Sequence, residues 1–440
     1  MARPLIEPPA PVLFRDLFPY HTPPLSPMRQ EGLPLTPGPD LYLTDTTFRD
    51  GQQARPPYTP TQVGQLFDLL HRLAGPDGLI RQSEFFLYAD RDRQAVTLCQ
   101  ERGYRFPEVT AWIRAATSDV PLVKAAQVAE TGVLTPASDY HIFSKLGLNR
   151  SQALDRYLGI VKDILALGIR PRCHLEDVTR SDVAGFVVPY LERLHELSVE
   201  SGVEIRVRLC DTMGFGLPWS QADLPRGVPQ LIRTIVDQTG TPGRLLEWHG
   251  HNDFHLGVAN AMAAWLQGVA AVNGTLLGFG ERTGNTPLEG LIFLWMGISG
   301  RTDIDTLAIT EVAHFFQQEL GVTIPPTMPF VGSSMALTAA GIHADGLMKD
   351  PEIYSIFDTS ALLGVLPGVL VSDKGGLAAI AFWVNRRRQL AGLAPIRKEQ
   401  PELAAVAAWV TQLFDAGRQT AVSDQELEAA CARLAPGLLS

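Results

Sequence analysis

The chain has 440 residues, of which 45% are hydrophobic, so it is long enough to bury a large core. Its 37 basic and 47 acidic residues give a net charge of −10, without any lysine- or arginine-rich run. This argues against nucleic acid or an anionic membrane as a partner, because both need concentrated positive charge. The four cysteines lack C-x-x-C spacing, and the N-terminal residues lack a signal-peptide pattern. We therefore expect a cytoplasmic enzyme with reduced thiols.

Short β-prone runs alternate with amphipathic helical stretches over residues 41–300. The β-prone runs are Leu41–Thr47, Gln82–Leu87, Pro107–Trp112, Gly132–Ala137, Pro171–Leu175, Ile205–Cys210, Leu245–Gly250 and Ala271–Leu276. The helical stretches include Thr61–Leu73 and Ser151–Leu167. Eight strand–helix units in strict alternation predict an α/β fold, a (β/α)8 TIM barrel. A doubly wound open sheet is the alternative, because short strands are easily miscounted.

The regions outside the barrel have different compositions. Residues 1–40 are rich in proline and lack periodicity, which predicts an extended N-terminal arm. Beyond the barrel we expect two mostly helical C-terminal subdomains. Residues 301–395 would form a lid or linker, and residues 396–440 a helical tail.

Two histidines follow the apolar run Leu245–Trp248. Side chains alternate along a strand, so His249 and His251 point to the same side. Two imidazoles at a strand's end form two-thirds of a metal site and lack a carboxylate. Asp50, at the end of the first β-prone run, can supply it. The sequence therefore favours a metal site over a pair of satisfied core histidines.

Other polar side chains also stand at the ends of predicted strands or follow them. These candidates are Arg49, Glu176, Thr212, Glu281 and Asn285. Because active sites of (β/α)8 barrels lie at the carboxyl ends of the strands, we expect all of them at one face. The segment Gly278–Asn285 differs in spacing from G-x-G-x-x-G, so it does not indicate a dinucleotide site.

Three separated motifs make the chain resemble the DRE-TIM metallolyase superfamily. They are Asp45–Gln53 (DTTFRDGQQ), His249–Asp253 (HGHND) and Gly278–Asn285 (GFGERTGN). They are most similar to the acyl-CoA condensing branch, which contains the 2-isopropylmalate, homocitrate, citramalate and Re-citrate synthases. Within it, Thr46–Thr59, Phe85–Tyr88 and Trp248–Phe254 most resemble clostridial Re-citrate synthases. The resemblance covers residues 41 to beyond 374. It implies metal-dependent condensation of acetyl-CoA with an α-keto acid, oxaloacetate in the Re-citrate case, with release of CoA.

The resemblance also implies a cation site. Asp50, His249 and His251 would bind a divalent cation (Mg²⁺, Mn²⁺ or Zn²⁺), with Asn285 as a further ligand or support. The keto acid would fill the open positions through its carboxylate and keto oxygens, and the metal would polarise the keto carbon. Arg49 would stabilise the alkoxide that develops at the keto oxygen.

Proton transfer is assigned in the same way. His343 matches the family's Gly-Ile-His segment, which lies in the lid or linker region and is supplied across a homodimer to the partner's active site. A histidine suits proton transfer near neutral pH. Glu176 and Tyr354 would complete the acid/base group. The substrate-binding candidates are His141, Arg172, Thr212 and Glu281.

Two features depart from the family pattern. His255 stands where the family usually has glycine, and we expect it to pack on the following helix and not to serve as a fourth ligand. The helical tail that begins near Pro401 leaves no room for the long regulatory domain of leucine-regulated isopropylmalate synthases. Feedback inhibition through such a domain is therefore not expected.

Several alternatives stay open. A 2-isopropylmalate or homocitrate synthase would use a keto acid that differs only at the end remote from the metal. Glu84, Tyr88 and Trp112 are the candidate contacts for that end. Acyl-CoA lyases carry a glycine- and cysteine-rich loop after the eighth strand, where this chain has Gly-Glu-Arg. Non-haem iron oxygenases also use two histidines and a carboxylate, but usually on a β-sandwich barrel. A non-catalytic binding barrel would not need an acid/base set.

Overall fold

A computed structural model describes residues 21–22 and 35–440 of the chain. The predicted N-terminal arm lies largely outside the described residues. The described residues form two compact units, one of residues 35–312 and one of residues 21–22 and 313–440. Within them, no helix combines the length and the apolar character that crossing a bilayer requires.

The first unit is a closed barrel of eight parallel strands that pair in sequence order, with β8 against β1. The strands are β1 (Tyr42–Asp45), β2 (Ile80–Phe85), β3 (Glu108–Arg114), β4 (Glu130–Leu134), β5 (Arg170–Leu175), β6 (Arg206–Asp211), β7 (Leu246–Gly250) and β8 (Ala271–Gly274). The intervening helices are α1 (Pro60–Ala74), α2 (Asp90–Glu101), α3 (Val120–Ala126), α4 (Arg150–Ala166), α5 (Val188–Ser201), α6 (Val228–Thr239), α7 (Gly257–Leu266) and α8 (Leu288–Ser299). The predicted (β/α)8 barrel is confirmed, and the open-sheet alternative is wrong.

Local sequence signals explain these elements. α1 begins at Pro60 after Thr59, whose side chain accepts a hydrogen bond from the Gln62 N–H, while the Thr59 N–H donates to the Gln62 side-chain oxygen. Its buried side chains recur at helical spacing and pack against the barrel. β4 starts two residues before the predicted run. The last residues of the predicted run, 135–137, lie in a loop instead. In this loop the Thr135 N–H donates to the His174 carbonyl on β5.

Charged side chains fill much of the barrel interior. Glu84 on β2 and Arg208 on β6 meet at 3.0 Å, and Arg208 also reaches Glu247 on β7 at 2.9 Å. A Cβ atom on Gly132 of β4 would lie 2.7 Å from His174 Nε2, so glycine leaves room for that imidazole. Glu84, Arg208 and Glu247 thus each have an oppositely charged neighbour, which offsets the cost of burying charge in a low-dielectric interior.

The second unit is mostly helical, as predicted. Its helices are α10 (Gly341–Lys349), α11 (Thr359–Leu363), α12 (Gly376–Leu390), α13 (Pro401–Asp415) and α14 (Asp424–Leu434), while α9 (Leu307–Gln318) spans the division between the units. Two short strands, β9 (Leu337–Thr338) and β10 (Gly368–Val369), pair in parallel. One apolar core joins side chains from both sides of residue 395, including Val384 and Leu403.

Candidate active site

Arg49 and Asp50 lie in a tight turn directly after β1. The Arg49 and Gly51 amides both donate to the Thr46 carbonyl, at 3.2 and 3.0 Å. A Cβ atom at residue 51 would lie 2.7 Å from the Thr47 carbonyl oxygen, so this turn requires glycine. The turn buries Arg49 and Asp50 at the carboxyl end of the barrel.

Asp50, His249 and His251 converge as the sequence predicts. Their candidate ligand atoms all lie within 4.8 Å of one another, and all three residues are buried. Each histidine Nε2 lies 3.5 Å from Asp50 Oδ2. Burial raises the pKa of Asp50, but the Arg49 guanidinium and the two imidazoles outweigh it and bring the pKa to about 2. The carboxylate is therefore ionised, which is the form that binds a cation.

A side chain from β8 fixes the state of His249. His249 Nδ1 lies 2.7 Å from Asn273 Oδ1, and the Asn273 amide nitrogen donates to the Thr44 carbonyl at 3.2 Å. Because an amide oxygen only accepts, Nδ1 carries the proton and Nε2 keeps its lone pair. Burial lowers the pKa of His249 to about 3, so the ring is neutral. Sequence reasoning missed Asn273, although its inward position next to β7 was a usable signal.

Asn285 reaches the same place although it follows β8 by many residues. The segment around Asn285 runs antiparallel to the end of β7, and in this bridge Asn285 pairs with His251. The Thr286 N–H donates to the Gly250 carbonyl at 3.1 Å. Three buried polar atoms at this point have no hydrogen-bond partner among the described residues: Asp50 Oδ2, His251 Nδ1 and Asn285 Oδ1. The unpaired oxygens of Asp50 and Asn285, together with two imidazoles whose Nε2 atoms lie near Asp50, fit a divalent cation.

A buried carboxylate binds the Arg49 guanidinium. Its Nε donates to Glu84 Oε2 at 2.8 Å, its Nη1 lies 3.2 Å from Asp50 Oδ1, and its guanidinium lies over the Trp112 ring. Arg208, His174 and Arg49 outweigh burial and lower the pKa of Glu84 well below its ordinary value. Glu84 is thus not a contact for the substrate's remote end, because its oxygens already bind these partners beneath the cavity floor. Trp112 does line the cavity.

A cavity of about 370 Å³, here the catalytic-end cavity, opens above these residues. Besides Arg49 and the three metal-ligand candidates, its lining includes Glu176, Thr212 and Glu281, as predicted. Larger cavities exist at the other end of the barrel and in the second unit. We assign the site by its chemistry and not by its size.

Glu176 and His141 form a polar pair at the rim. Glu176 Oε2 lies 3.1 Å from His141 Nδ1, and Lys145 Nζ donates to Glu176 Oε1 at 3.2 Å. Burial raises the pKa of Glu176, but these two neighbours lower it below the ordinary value. Thr212 Oγ1 accepts from the Asp177 amide at 2.9 Å.

Arg172 requires a correction. It is only 2% exposed and lies deep in the barrel, where it binds Glu130 and, at 3.1 Å, Glu247. It does not line the catalytic-end cavity. Because its guanidinium is already bound by two buried carboxylates, Arg172 is not available for a substrate carboxylate.

The remaining predicted residues lie as follows. His343 is on α10 of the second unit, with Nδ1 3.0 Å from Thr338 Oγ1 and its ring 4.2 Å from the Tyr354 ring. These two residues therefore form a pair within their unit. His255 is exposed and has a φ of 57°, a left-handed conformation that explains the family's preference for glycine there.

The chain is similar to known proteins over most of its length. A family model described as HMGL-like matches residues 40–316. A citrate (Re)-synthase of Syntrophus aciditrophicus is 50% identical over 97% of this chain and 68% of that protein. A citrate (Re)-synthase of Clostridium kluyveri is 44% identical over 98% of this chain and 95% of that protein. The barrel fold is shared with a hydroxymethylglutaryl-CoA lyase structure from Pseudomonas aeruginosa, at 18% identity and a TM-score of 0.53. The matched region covers 65% of this chain and 95% of the lyase chain.

Proposed function

The chain belongs to the HMGL-like family, and from this premise we propose that it condenses acetyl-CoA with an α-keto acid, oxaloacetate, and that water then hydrolyses the thioester to give citrate and CoA. The observation that carries the proposal is the buried set of Asp50, His249 and His251 beside Arg49. The similarity to two citrate (Re)-synthases supports oxaloacetate over the longer or apolar keto acids. The parallel barrel does not support an iron oxygenase, which usually has a β-sandwich scaffold.

In this proposal Asp50, His249 and His251 hold a divalent cation, with Asn285 Oδ1 beside them. When bound, the cation supplies a Lewis acid that polarises the keto group. Arg49 directs its guanidinium toward the oxygen that becomes an alkoxide, and Glu84 fixes the direction of that fork. The low pKa of Asp50 keeps its charge available throughout the neutral range.

We propose further that His343 and Tyr354 take part in removing a proton from the methyl group of acetyl-CoA. Glu176, which His141 and Lys145 keep ionised, would orient the pair of His343 and Tyr354 at the rim of the catalytic-end cavity. Thr212, Glu281 and His141 would contact the substrate carboxylates. The His343 segment would come from the second subunit of a homodimer, as the family resemblance implies.

A CoA-release assay tests the reaction. Enzyme stripped with EDTA should release no CoA from acetyl-CoA, and Mg²⁺, Mn²⁺ or Zn²⁺ should restore release when oxaloacetate is present. 2-Oxoglutarate, 2-oxoisovalerate and pyruvate should serve poorly. A preference for 2-oxoisovalerate or 2-oxoglutarate would replace the substrate assignment with that of another synthase of the family. Full turnover without metal would overturn the mechanism.

Two variants test the ligands. Asp50→Ala or His251→Ala should abolish metal binding and CoA release, because loss of one of three anchoring ligands leaves the cation largely solvated. Asp139→Ala, which removes an exposed carboxylate that pairs only with Arg150 among the described ion pairs, is the matched control and should retain both.

A further inference from the structure

A second polar cavity lies at the amino end of the barrel, opposite the proposed catalytic site. This amino-end cavity has a volume of about 490 Å³, within the range of small-ligand sites. It is lined by the first residues of several strands and by the loop between α2 and β3. Four arginines contribute to its wall, namely Arg81, Arg105, Arg170 and Arg206.

The charges around this cavity do not balance. Arg81 pairs with Asp40, and Arg170 with Glu108 at 3.4 Å. Arg170 and Arg206 also share one oxygen of the buried Glu130, each at a long 3.6 Å. Arg105 is exposed and makes no ion pair within the described part of the chain. The four arginines therefore exceed the three carboxylates that face them. Because both oxygens of Asp40 hold Arg81, a small anion would find its donors on Arg105 and on the weakly paired Arg170 and Arg206.

A continuous row of buried ion pairs connects this cavity to Arg49. From Glu130 the row passes to Arg172, and from Arg172 to Glu247 at 3.1 Å. Glu247 contacts Arg208 at 2.9 Å, Arg208 contacts Glu84 at 3.0 Å, and Glu84 contacts Arg49 at 2.8 Å. All of these side chains are less than a tenth exposed. Positive and negative groups alternate along the row, so each charge within it lies between two opposite charges.

We propose that the amino-end cavity binds a small polyanion, a polycarboxylate or a phosphate, and that binding slows catalysis through this row. An anion that draws Arg170 and Arg206 away from Glu130 leaves Glu130 to hold Arg172 more tightly. Arg172 then releases Glu247, Glu247 holds Arg208, and Arg208 releases Glu84. Glu84 in turn holds Arg49 more firmly and withdraws it from the catalytic-end cavity.

Binding is tested first, by calorimetry with tricarballylate and with inorganic phosphate. Metal-free Asp50→Ala protein is used, which removes the proposed cation site as a competing target. Adding Arg105→Gln should weaken the affinity by about ten- to a hundredfold, the usual loss for a hydrogen bond to a charged group. Arg105 makes no ion pair with the described residues, so its replacement leaves the folded barrel intact. Arg193→Gln, at an exposed position of α5 outside the amino-end cavity, is the control and should bind as before.

The outcome distinguishes the two sources of negative charge. Binding of tricarballylate alone assigns a carboxylate ligand, and binding of phosphate assigns a phosphate ligand. Binding of neither anion, or binding that is unaffected by Arg105→Gln, would overturn the site.

The coupling is tested with the metal-loaded enzyme. Saturating anion should lower kcat by about two- to thirtyfold, the usual size of such couplings, with little change in the KM of the keto acid. Arg105→Gln should keep the uninhibited rate and lose the inhibition. Competition with the keto acid, or binding without a change in kcat, would disprove the coupling. Absence of any CoA release would instead contradict the proposed function and leave the binding result standing.

Discussion

The chemical states of the candidate metal ligands Asp50 and His249 depend on neighbouring side chains. Asp50 stays ionised because Arg49 and two imidazoles surround it, and His249 presents Nε2 because Asn273 holds Nδ1. Arg49 takes its direction from Glu84 on β2. The proposed chemistry therefore depends on the adjacent pair Arg49 and Asp50 and on contacts between side chains of different strands.

Replacement of Asn273 should weaken metal binding without touching a ligand. Asn273→Ala removes the acceptor that fixes the His249 tautomer, and losses of this kind usually cost about ten- to a hundredfold in affinity. Equilibrium dialysis with Mn²⁺ measures the change. Asn260→Ala is the control, because Asn260 is equally buried but donates to the Gly216 carbonyl on another loop. Equal affinities in the two variants would remove Asn273 from the site.

Arg49→Lys should retain metal and keto-acid binding but lower kcat by about 100- to 1000-fold, the usual loss when one oxyanion donor is removed. Lysine keeps the charge but lacks the planar fork that Glu84 orients. Steady-state kinetics with separate metal titration measures both properties. Arg114→Lys, in the same cavity but bound to Asp119, should change the rate much less. A near-normal rate for Arg49→Lys would mean that Arg49 is structural.

At the scale of elements, the end of each strand and the start of the following loop determine what enters the site. The turn after β1 places Arg49 and Asp50, and an antiparallel bridge beside β7 brings in Asn285. The following helix, α8, carries a buried acid in its first turn. Glu289 is 4% exposed, and its Oε2 accepts from the Leu277 amide at 3.1 Å.

Glu289 should make the barrel less stable at alkaline pH. Burial raises its pKa to about 7 from the ordinary 4.5. The folded state thus binds the proton more tightly, and the stability contributed by this group is full below about pH 4.5 and is lost as the pH rises through 7. Glu289→Gln should remove this loss and raise the unfolding free energy at pH 8 by up to about 3 kcal/mol.

Urea unfolding at pH 5 and pH 8 measures the effect. The two proteins should differ little at pH 5 and most at pH 8. Glu192→Gln, an exposed change on α5, should leave the wild-type pH dependence unaltered. An equal gain for Glu289→Gln at both pH values would show that the buried charge is not its cause.

For the whole molecule, the proposed homodimer makes a genetic prediction. If His343 acts in the barrel of the partner subunit, Asp50→Ala and His343→Ala chains should each be inactive alone. Co-expressed, they should recover up to about a quarter of the wild-type activity, because a mixed dimer, about half of the dimers under random pairing, rebuilds one of its two sites. The CoA-release assay on co-purified, differently tagged chains measures this. No recovery in verified mixed dimers would place His343 in its own chain's site or outside catalysis.

The sequence alone predicted the barrel and the candidate metal ligands. Strict alternation of eight β-prone and helical stretches leaves few arrangements other than a closed barrel, and polar residues at strand ends then meet at one face. His249, His251 and Asp50 were therefore predictable from local pattern, and the structure brings them together. The three motifs and their order identified the family.

Only the tertiary structure decided the partners of the charged groups. Arg172 was expected at the substrate, but it lies within the interior row because strand register places Glu130 and Glu247 beside it. Asn273, and Glu84 as the support of Arg49, went unrecognised for the same reason. The neighbours of an inward side chain come from strands that are distant in sequence. A shift of the strand register by one residue would turn an inward side chain to the outer face of the barrel.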